Sequence, residues 1–251
     1  MVYLMLFVAF FGTIGILNYM HRLAHSHRLT KETLTLPVNI REINVFFITD
    51  IHRRKLNAPF FKTLRGQVDM VWIGGDLLEK GVSAEQLKEN LTILNKIGKI
   101  FFVWGNNDYE WPQSELTKLF EDHEVTVLKN QCYPFSEYGD VWTLAGVDDL
   151  STGELDYEKT IQGAAGPCIL LSHNPDIVNE LPSFMNIVYL LSGHTHGGQI
   201  RLGPFGIAEK GGWKRKNDIP MLISHGYGTT KLPLRLGTEA EAHLINIRSR
   251  R

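Results

Sequence analysis

The chain has 251 residues, which suits one sizeable α/β domain with a substantial core better than two domains joined by a linker. Its formal net charge of -1 supplies no global positive field of the kind that duplex-binding proteins use to release counterions, so nucleic acid is not expected as a partner. Cys132 and Cys168 are too few for a disulfide framework and form no C-x-x-C pair, which indicates two reduced core thiols.

The first 20 residues form an almost uncharged apolar run that is long enough, as a helix, to cross the hydrocarbon layer of a membrane. A cleavable signal peptide is the alternative, but no Lys or Arg precedes the run and no A-x-A pattern follows it. The first basic residues, Arg22, Arg28 and Lys31, lie just after the run, and the positive-inside tendency then places the rest of the chain in the cytoplasm. The prediction is a single-pass anchor in the cell membrane over residues 1–20.

A polar juxtamembrane connector is predicted over residues 21–40, followed by one domain over residues 41–251. Three histidines in the connector are His21, His25 and His27. They could suggest a metal site, but an interfacial position explains them more simply.

Beyond the connector, short apolar runs alternate with amphipathic stretches, which is the pattern of an α/β domain. Most of the runs are rich in Val, Ile, Phe and Trp, residues that favour strands. The predicted strands are Ile43–Thr49, Val68–Ile73, Ile100–Trp104, Val141–Ala145, Cys168–Leu171 and Ile187–Leu191. Beyond Gly197, Gly and Pro dominate until a late alternating segment, His243–Ile247.

Three helices are predicted between these strands. Ser83 and Gln86 form a capping box for the first helix, which Gly98 can end. The second helix follows Pro112, and the third begins at Pro175, which suits a first helical turn. The residues predicted to face the core are Leu87, Leu91 and Leu94 in the first helix, Leu116, Leu119 and Phe120 in the second, and Ile177, Val178 and Leu181 in the third.

Side chains that can bind metal follow several of the predicted strands, at the point where each strand ends. In chain order they are Asp50 and His52, Asp76, Asn106 and Asp108, His173, and His194 and His196. A lone Asp here could be a helix cap and a lone His a packed core residue. The repeated order, with glycines that permit tight turns, instead indicates one site at the carboxyl edge of a sheet. Carboxylates with imidazoles suit Mn, Fe or Zn, and a carboxylate can bridge two ions.

These motifs resemble those of the calcineurin-like metallophosphoesterase superfamily, which run D-x-H, G-D, G-N-H-D/E, H and G-H-x-H in this order. The resemblance covers residues 44–247, and the run GHTHGGQI at 193–200 is similar to that of small bacterial membrane-associated or exported members. It implies a four-layer α/β/β/α sandwich of two mixed β-sheets flanked by helices, preceded here by one transmembrane helix. It also implies two divalent metal ions, one held by Asp50, His52, Asp76 and His196 and the other by Asp76, Asn106, His173 and His194.

The chain departs from the family pattern at two places. Protein phosphatases of the family carry G-D-x-x-D-R-G, whereas this chain has Glu79 and Lys80 in place of the Asp-Arg pair, so a phosphoprotein phosphatase is not expected. Asn107 occupies the place of a family His that helps to protonate the leaving group. The expected catalytic residues are Asn107, Asp108 and His225. His225, in a predicted loop, is the candidate for supplying the proton that the Asn107 amide cannot give. An ordinary packing role for His225 is the alternative.

The resemblance implies a metal-dependent phosphohydrolase, that is, a phosphodiesterase, phosphatase or pyrophosphatase. Two ions that share Asp76 would lower the pKa of a bridging water, and the hydroxide would attack phosphorus in line. The predicted anchor favours a lipid-linked substrate over a freely diffusing phosphorylated small molecule. The alternative is a catalytically inactive, membrane-anchored binding module with the same fold, but every ligand position is retained, which favours an enzyme. Two basic clusters, residues 53–55 and 214–216, could steer an anionic substrate or touch lipid head groups, or simply form solvated faces.

Overall fold

The structure is a computed structural model, and it describes residues 1–250. Two six-stranded sheets lie at its centre, and a two-stranded hairpin stands apart from them. In chain order the strands are β1 (Arg28–Leu36), β2 (Ile43–Ile48), β3 (Met70–Ile73), β4 (Lys99–Phe102), β5 (Thr126–Val127), β6 (Gln131–Phe135), β7 (Trp142–Gly146), β8 (Cys168–Leu171), β9 (Ile187–Ser192), β10 (Arg201–Leu202), β11 (Phe205–Gly206), β12 (Gly212–Lys216), β13 (Ile219–Ile223) and β14 (Glu241–Ser249).

Both large sheets are mixed. The first has the order β1-β14-β2-β3-β4-β5, in which β2 to β5 run parallel and β14 runs antiparallel to β2. The second has the order β12-β13-β9-β8-β7-β6, with four parallel strands between two antiparallel edge strands. Parallel strands need crossover connections, and most of the helices lie in them. The helices are α1 (Val2–Ala24), α2 (Ala58–Lys62), α3 (Ala84–Asn95), α4 (Gln113–Asp122) and α5 (Tyr157–Thr160), with short 3₁₀ turns at Asn106–Glu110, Pro175–Asn179 and His196–Gly198.

The buried side chains form three layers. Alternation along β2 shows how they arise, because Phe46 packs under α2 and α3 while its neighbour Phe47 faces the second sheet. Between the sheets, Trp142 stacks on Phe135 with ring centroids 4.4 Å apart. The third layer covers the outer face of the second sheet. This is the predicted four-layer α/β/β/α sandwich, with an apolar helix in front of it.

The elements predicted around the site are present with small shifts of their ends. Each predicted strand is found, and His243–Ile247 lies within the longer β14. The predicted core faces of α3 and α4 are buried. Ser83 accepts the N–H of Gln86 as its cap, but the Gln86 side chain donates to the Arg53 carbonyl at 2.9 Å, so only half of the capping box forms. Helix α3 ends at Asn95, before Gly98.

Two predicted elements differ from the structure. The third helix is only a 3₁₀ turn, Pro175–Asn179, which buries Ile177 and Val178 and leaves Leu181 beyond its end. Residues 28–36, expected in a polar connector, form β1, which pairs in parallel with β14 at the edge of the first sheet. The mostly polar sequence of β1 hides this strand, since only Leu34 and Leu36 are fully buried.

Helix α1 is long and apolar enough to cross a membrane, and its side chains up to residue 19 are exposed. Its last turn is fixed to the sandwich. Met20 and Ala24 are buried, and the carbonyls of Met20 and Leu23 accept the backbone N–H groups of Arg235 and Ala240, each at 3.1 Å. The Arg54 guanidinium donates to the carbonyls of residues 24–26 at 2.8–3.4 Å. The unpaired carbonyls at the helix end are thereby satisfied.

Replacing Leu34 by Ala tests whether β1 is an integral part of the sandwich. We expect a loss of about 2–5 kcal/mol in the free energy of unfolding, because the side chain is fully buried between the sheets. Thr33→Ala, one residue earlier on the exposed face of β1, should change it by no more than about 0.5 kcal/mol. Thermal unfolding of both variants in the same detergent measures the difference. Equal stability of the two variants would show that residues 28–36 behave as a loose connector.

Candidate metal centre

The predicted ligands lie together at the carboxyl ends of β2, β3, β4, β8 and β9. Parallel strands bring these ends to one edge of each sheet, and the two sheets place their edges side by side. Among the residues in question, Asp50, His52, Asp76 and His173 are almost completely inaccessible to solvent. The site is therefore assembled from turns that are buried by the sandwich itself.

Asp50, His52 and His196 form one group of possible ligands. The Nε2 atom of His196 lies 3.2 Å from Asp50 Oδ1 and 3.1 Å from the Nε2 atom of His52. His52 Nε2 also lies 3.7 Å from Asp76 Oδ2. Two donors that bind one ion at about 2.0–2.2 Å are separated by about 3–4 Å, and these atoms have that separation.

A second group lies around Asp76 and His173, and Asp50 is close enough to belong to it as well. His173 Nε2 is 3.2 Å from Asp76 Oδ2 and 3.1 Å from His194 Nδ1. The buried Oδ1 atom of Asn106 has no hydrogen-bond partner among residues 1–250, as expected for an oxygen that binds a cation. The same oxygen of Asp76 thus lies close to both groups.

The electrostatics of the cluster fit a cation site. Burial by itself raises the pKa of Asp50, but the imidazoles of His196, His173 and His52 together lower it more, and the net pKa is well below the ordinary value. Burial by itself lowers the pKa of His173, but the Asp76 carboxylate, together with Asp50 and Asp149, outweighs burial and raises that pKa to about 10. The negative charge of the buried carboxylates therefore has to be balanced by positive charge close to them. Divalent ions compete with protons for such donors.

Five of the seven predicted ligands have positive φ angles, between 49° and 69°: Asp50, His52, Asp76, His194 and His196. Residues with a β-carbon rarely adopt this conformation, and it costs about 1–3 kcal/mol at each position. The glycines beside them allow close approach, since a β-carbon on Gly193 would overlap the Thr49 hydroxyl and one on Gly105 would overlap the Asp76 carboxylate. The strained turns point the predicted ligand side chains toward one another, and this arrangement carries a cost in conformational energy.

The imidazoles are oriented from behind. His173 Nδ1 donates to the carbonyl of Gly74 at 3.0 Å, which leaves Nε2 free to bind a metal. Glu79 Oε2 lies 3.1 Å from His52 Nδ1, and Glu79 also pairs with Arg53. In the sequence alone, Glu79 stands out only as a departure from the protein-phosphatase motif. Its position three residues after Asp76 was the available signal.

Arg235 is a buried organiser of the site that the sequence did not reveal. Its guanidinium is fully buried and donates to the carbonyls of His225, Gly226 and Gly228 at 2.6–3.1 Å, and to that of His196 at 3.2 Å. Burial lowers the pKa of Arg235 to about 10, which still leaves it charged at neutral pH. It ties the loop after β13 to the turn that carries His196.

The three residues predicted to be catalytic occupy different positions. Asp108 is buried, and its carboxylate accepts the backbone N–H groups of Gly105, Asp76 and Leu78 at 2.8–3.2 Å. These contacts make Asp108 a positioning residue for the turns that bear the ligands.

Asn107 holds Asp76 itself. Its backbone N–H donates to Asp76 Oδ1 at 2.9 Å and its side-chain amide donates to Oδ2 at 2.7 Å. His225 is buried beside Gly197 and Gly211, and its Nδ1 lies 3.3 Å from Glu241 Oε1. Nδ1 of the His225 ring therefore faces Glu241, while its backbone borders the site, and the proton-donor role of His225 stays a prediction.

Comparisons with known proteins agree with this arrangement. Residues 43–198 match the family model for calcineurin-like phosphoesterases. The chain is 43% identical over 209 residues to a Bacillus subtilis protein, YpbG, that is described as uncharacterized, covering 82% of this chain and 81% of that protein. It is 25% identical over 259 residues to the uncharacterized metallophosphoesterase YkoQ of the same species, covering 91% of this chain and 96% of the relative.

A bovine transmembrane protein with a metallophosphoesterase domain is 28% identical over 243 residues, covering 82% of this chain and 53% of that protein. Among solved structures, a Thermus thermophilus sulfate thiohydrolase matches with a TM-score of 0.54 and 12% identity, over 82% of this chain and 56% of the other. A Haemophilus influenzae NAD nucleotidase matches with a TM-score of 0.51 and 18% identity, over 76% and 46%. At these identities the structural matches show a shared fold only. Together with the family model, which spans more than half of the sequence, the relatives show that this chain belongs to the calcineurin-like phosphoesterase family.

Proposed function

We propose that the protein is a membrane-anchored hydrolase of phosphoesters or phosphoanhydrides that uses two divalent metal ions, with Mn, Fe or Zn suited to its ligands. One ion would be held by Asp50, His52, Asp76 and His196, and the other by Asp76, Asn106, His173 and His194. The observation that carries the proposal is the position of Asp76 Oδ2, which lies 3.7 Å from His52 and 3.2 Å from His173. A carboxylate oxygen between two imidazole groups is suited to bridging two ions.

When bound, two such ions supply an activated water and stabilise the charge that grows on the phosphate oxygens. The protein's own groups hold this arrangement in place. Asn107 fixes both oxygens of Asp76, and Asp108 fixes the backbone of the turn beneath it. The Gly74 carbonyl holds the ring of His173, and Glu79 lies against that of His52. Preorganised donors of this kind need little rearrangement during the reaction.

The proposed substrate is a phosphorylated small molecule or, given the anchor, a lipid-linked phosphate. The bovine relative is a transmembrane protein that carries a metallophosphoesterase domain, which supports the proposal that this chain is anchored in a membrane. An inactive binding module would not need the complete and strained ligand set. The proposed division of the chain has three parts: an anchor at 1–20, a juxtamembrane region at 21–40 and the phosphoesterase domain at 41–251. Strand β1, within the juxtamembrane region, packs onto that domain.

Asp76→Ala should abolish hydrolysis and remove metal from both positions, because two ions without the bridging carboxylate repel each other at close range. Metal content after purification with Mn, and activity on an aryl phosphodiester, measure the effect. Asp122→Ala, the same change on the exposed end of α4, should keep full metal content and activity. An active, fully loaded Asp76→Ala protein would contradict the two-metal assignment.

Asn107 should limit cleavage of poor leaving groups, since an amide cannot act as a general acid. We expect the rate to fall steeply as the leaving-group pKa rises across a series of phosphate esters. Asn107→His should flatten this dependence and raise the rate on alkyl esters, toward the factor of about 10² to 10⁴ that general acids supply. Asn39→His, at the opposite edge of the sheet, serves as the control. An unchanged slope at equal metal content would mean that position 107 does not limit protonation.

The anchor should remain uncleaved, with the domain in the cytoplasm. Protease added to intact cells should leave the domain whole, whereas permeabilised cells should lose it. Mass spectrometry of the purified chain should find residues 1–20 still present, because no cleavage pattern follows them. Digestion from outside, or a shortened chain, would refute this topology.

A further inference from the structure

Five exposed apolar side chains lie on two loops near the point where α1 meets the sandwich. They are Ile200, Leu202, Phe205, Ile207 and Leu232, and we call this set the apolar rim. Phe205 is 78% exposed and Ile207 is 93% exposed. Large apolar side chains clustered on a surface indicate a contact with a partner or a membrane.

Backbone contacts place the rim beside the end of α1. The N–H of Arg235 donates to the Met20 carbonyl at 3.1 Å, and the next residue, Leu236, forms a β-bridge with Ile200. The side chain of Gln199 donates to the carbonyls of Thr230 and Leu232 at 3.0 and 3.2 Å. Both loops of the rim are therefore held together, next to the last turn of α1.

The length of α1 sets the height of the rim above a membrane. Residues 2–20 span about 28 Å at the helical rise, close to the hydrocarbon thickness of about 30 Å. Met20 is also where the helix becomes buried by protein. With α1 across a bilayer, Met20 lies at the hydrocarbon boundary, and the loops that contact it lie at the level of the head groups.

The charges around the rim suit an anionic lipid surface. Lys231 adjoins Leu232 and Lys210 lies three residues after Ile207, and both are exposed. The acidic Glu209 beside Lys210 forms an ion pair with Lys214. A cavity of about 480 Å³ opens between the end of α1 and the loop after His52, and its lining includes His25, Arg53 and Lys55. Apolar side chains with basic neighbours are typical of segments that lie in the membrane interface.

We propose that the apolar rim inserts into the bilayer interface as a second membrane contact beside α1. The proposal rests on the proposed anchoring of α1. Arg201 connects the hairpin to the site, since its guanidinium donates to the carbonyls of Gly197 and Ala208 at 3.2 and 2.7 Å. The metal centre is thereby held at head-group height, facing phosphates that belong to lipids or lipid-linked molecules.

Fluorescence quenching by lipids tests the proposal in the full chain. Phe205→Cys is labelled with a small fluorophore and reconstituted in vesicles of phosphatidylcholine and phosphatidylglycerol that carry nitroxide lipids. Phe10→Cys reports on α1, and Phe184→Cys is the matched control, an exposed Phe before β9 at the opposite edge of the sheet. The unsubstituted chain gives the background, since Cys132 is half-buried and Cys168 is buried. Activity on an aryl phosphodiester shows that each labelled chain is folded.

Lipid quenching at position 205 close to that at position 10, with none at position 184, is the expected result. Quenching at position 10 alone would overturn the rim contact and leave the anchor intact. A label at position 205 that is shielded from both lipid nitroxides and aqueous iodide would mean that a second copy covers the rim, which also overturns the proposal. Loss of quenching at both positions 10 and 205 would refute the anchor and the rim together.

Discussion

The carboxylate of Asp76 has to face two imidazoles at once, and much of the surrounding structure holds it in that position. It follows β3, which lies between two parallel neighbours, so the turns after β2, β3 and β4 reach the same edge. Asn107 holds its oxygens and Asp108 holds its backbone N–H. A buried carboxylate with so few ways to move cannot reduce its desolvation cost by turning to water. It has to be compensated by cations.

This demand explains why strained backbone is tolerated around the site. A left-handed backbone conformation costs about 1–3 kcal/mol for each residue. The strain of the five proposed ligands with positive φ is therefore together comparable to the whole free energy of unfolding of a small domain. The sandwich can offset that strain because it buries three apolar layers, which include Phe46 under the helices and Trp142 between the sheets. Ions bound at the proposed site would add stabilisation that an unfolded chain cannot receive.

The clustering of the proposed ligands was predictable because each follows a buried apolar strand, and a polar side chain at that position has few structural explanations. Helices α3 and α4 were predictable from the regular spacing of their apolar residues, with Ser83 before α3 and Pro112 before α4. Strand β1 was not, because its partner β14 is about two hundred residues away and its own sequence alternates weakly. Arg235 left no local signal either, since arginine is almost always a surface residue. Its role depends on five carbonyl groups that only the folded chain brings together.

The Arg54 side chain joins the end of α1 to the loop that carries two of the proposed ligands, and these hydrogen bonds hold the helix end and the site together in one body. On the proposed topology, such a body can rotate about the helix axis and drift in the plane of the bilayer, but its reach away from the surface is constant. The distance of a phosphate from the membrane would then help to decide whether the molecule that carries it is a substrate. Phosphates carried on long or bulky head groups would project past the metals, whereas those close to the glycerol or prenyl end would meet them directly.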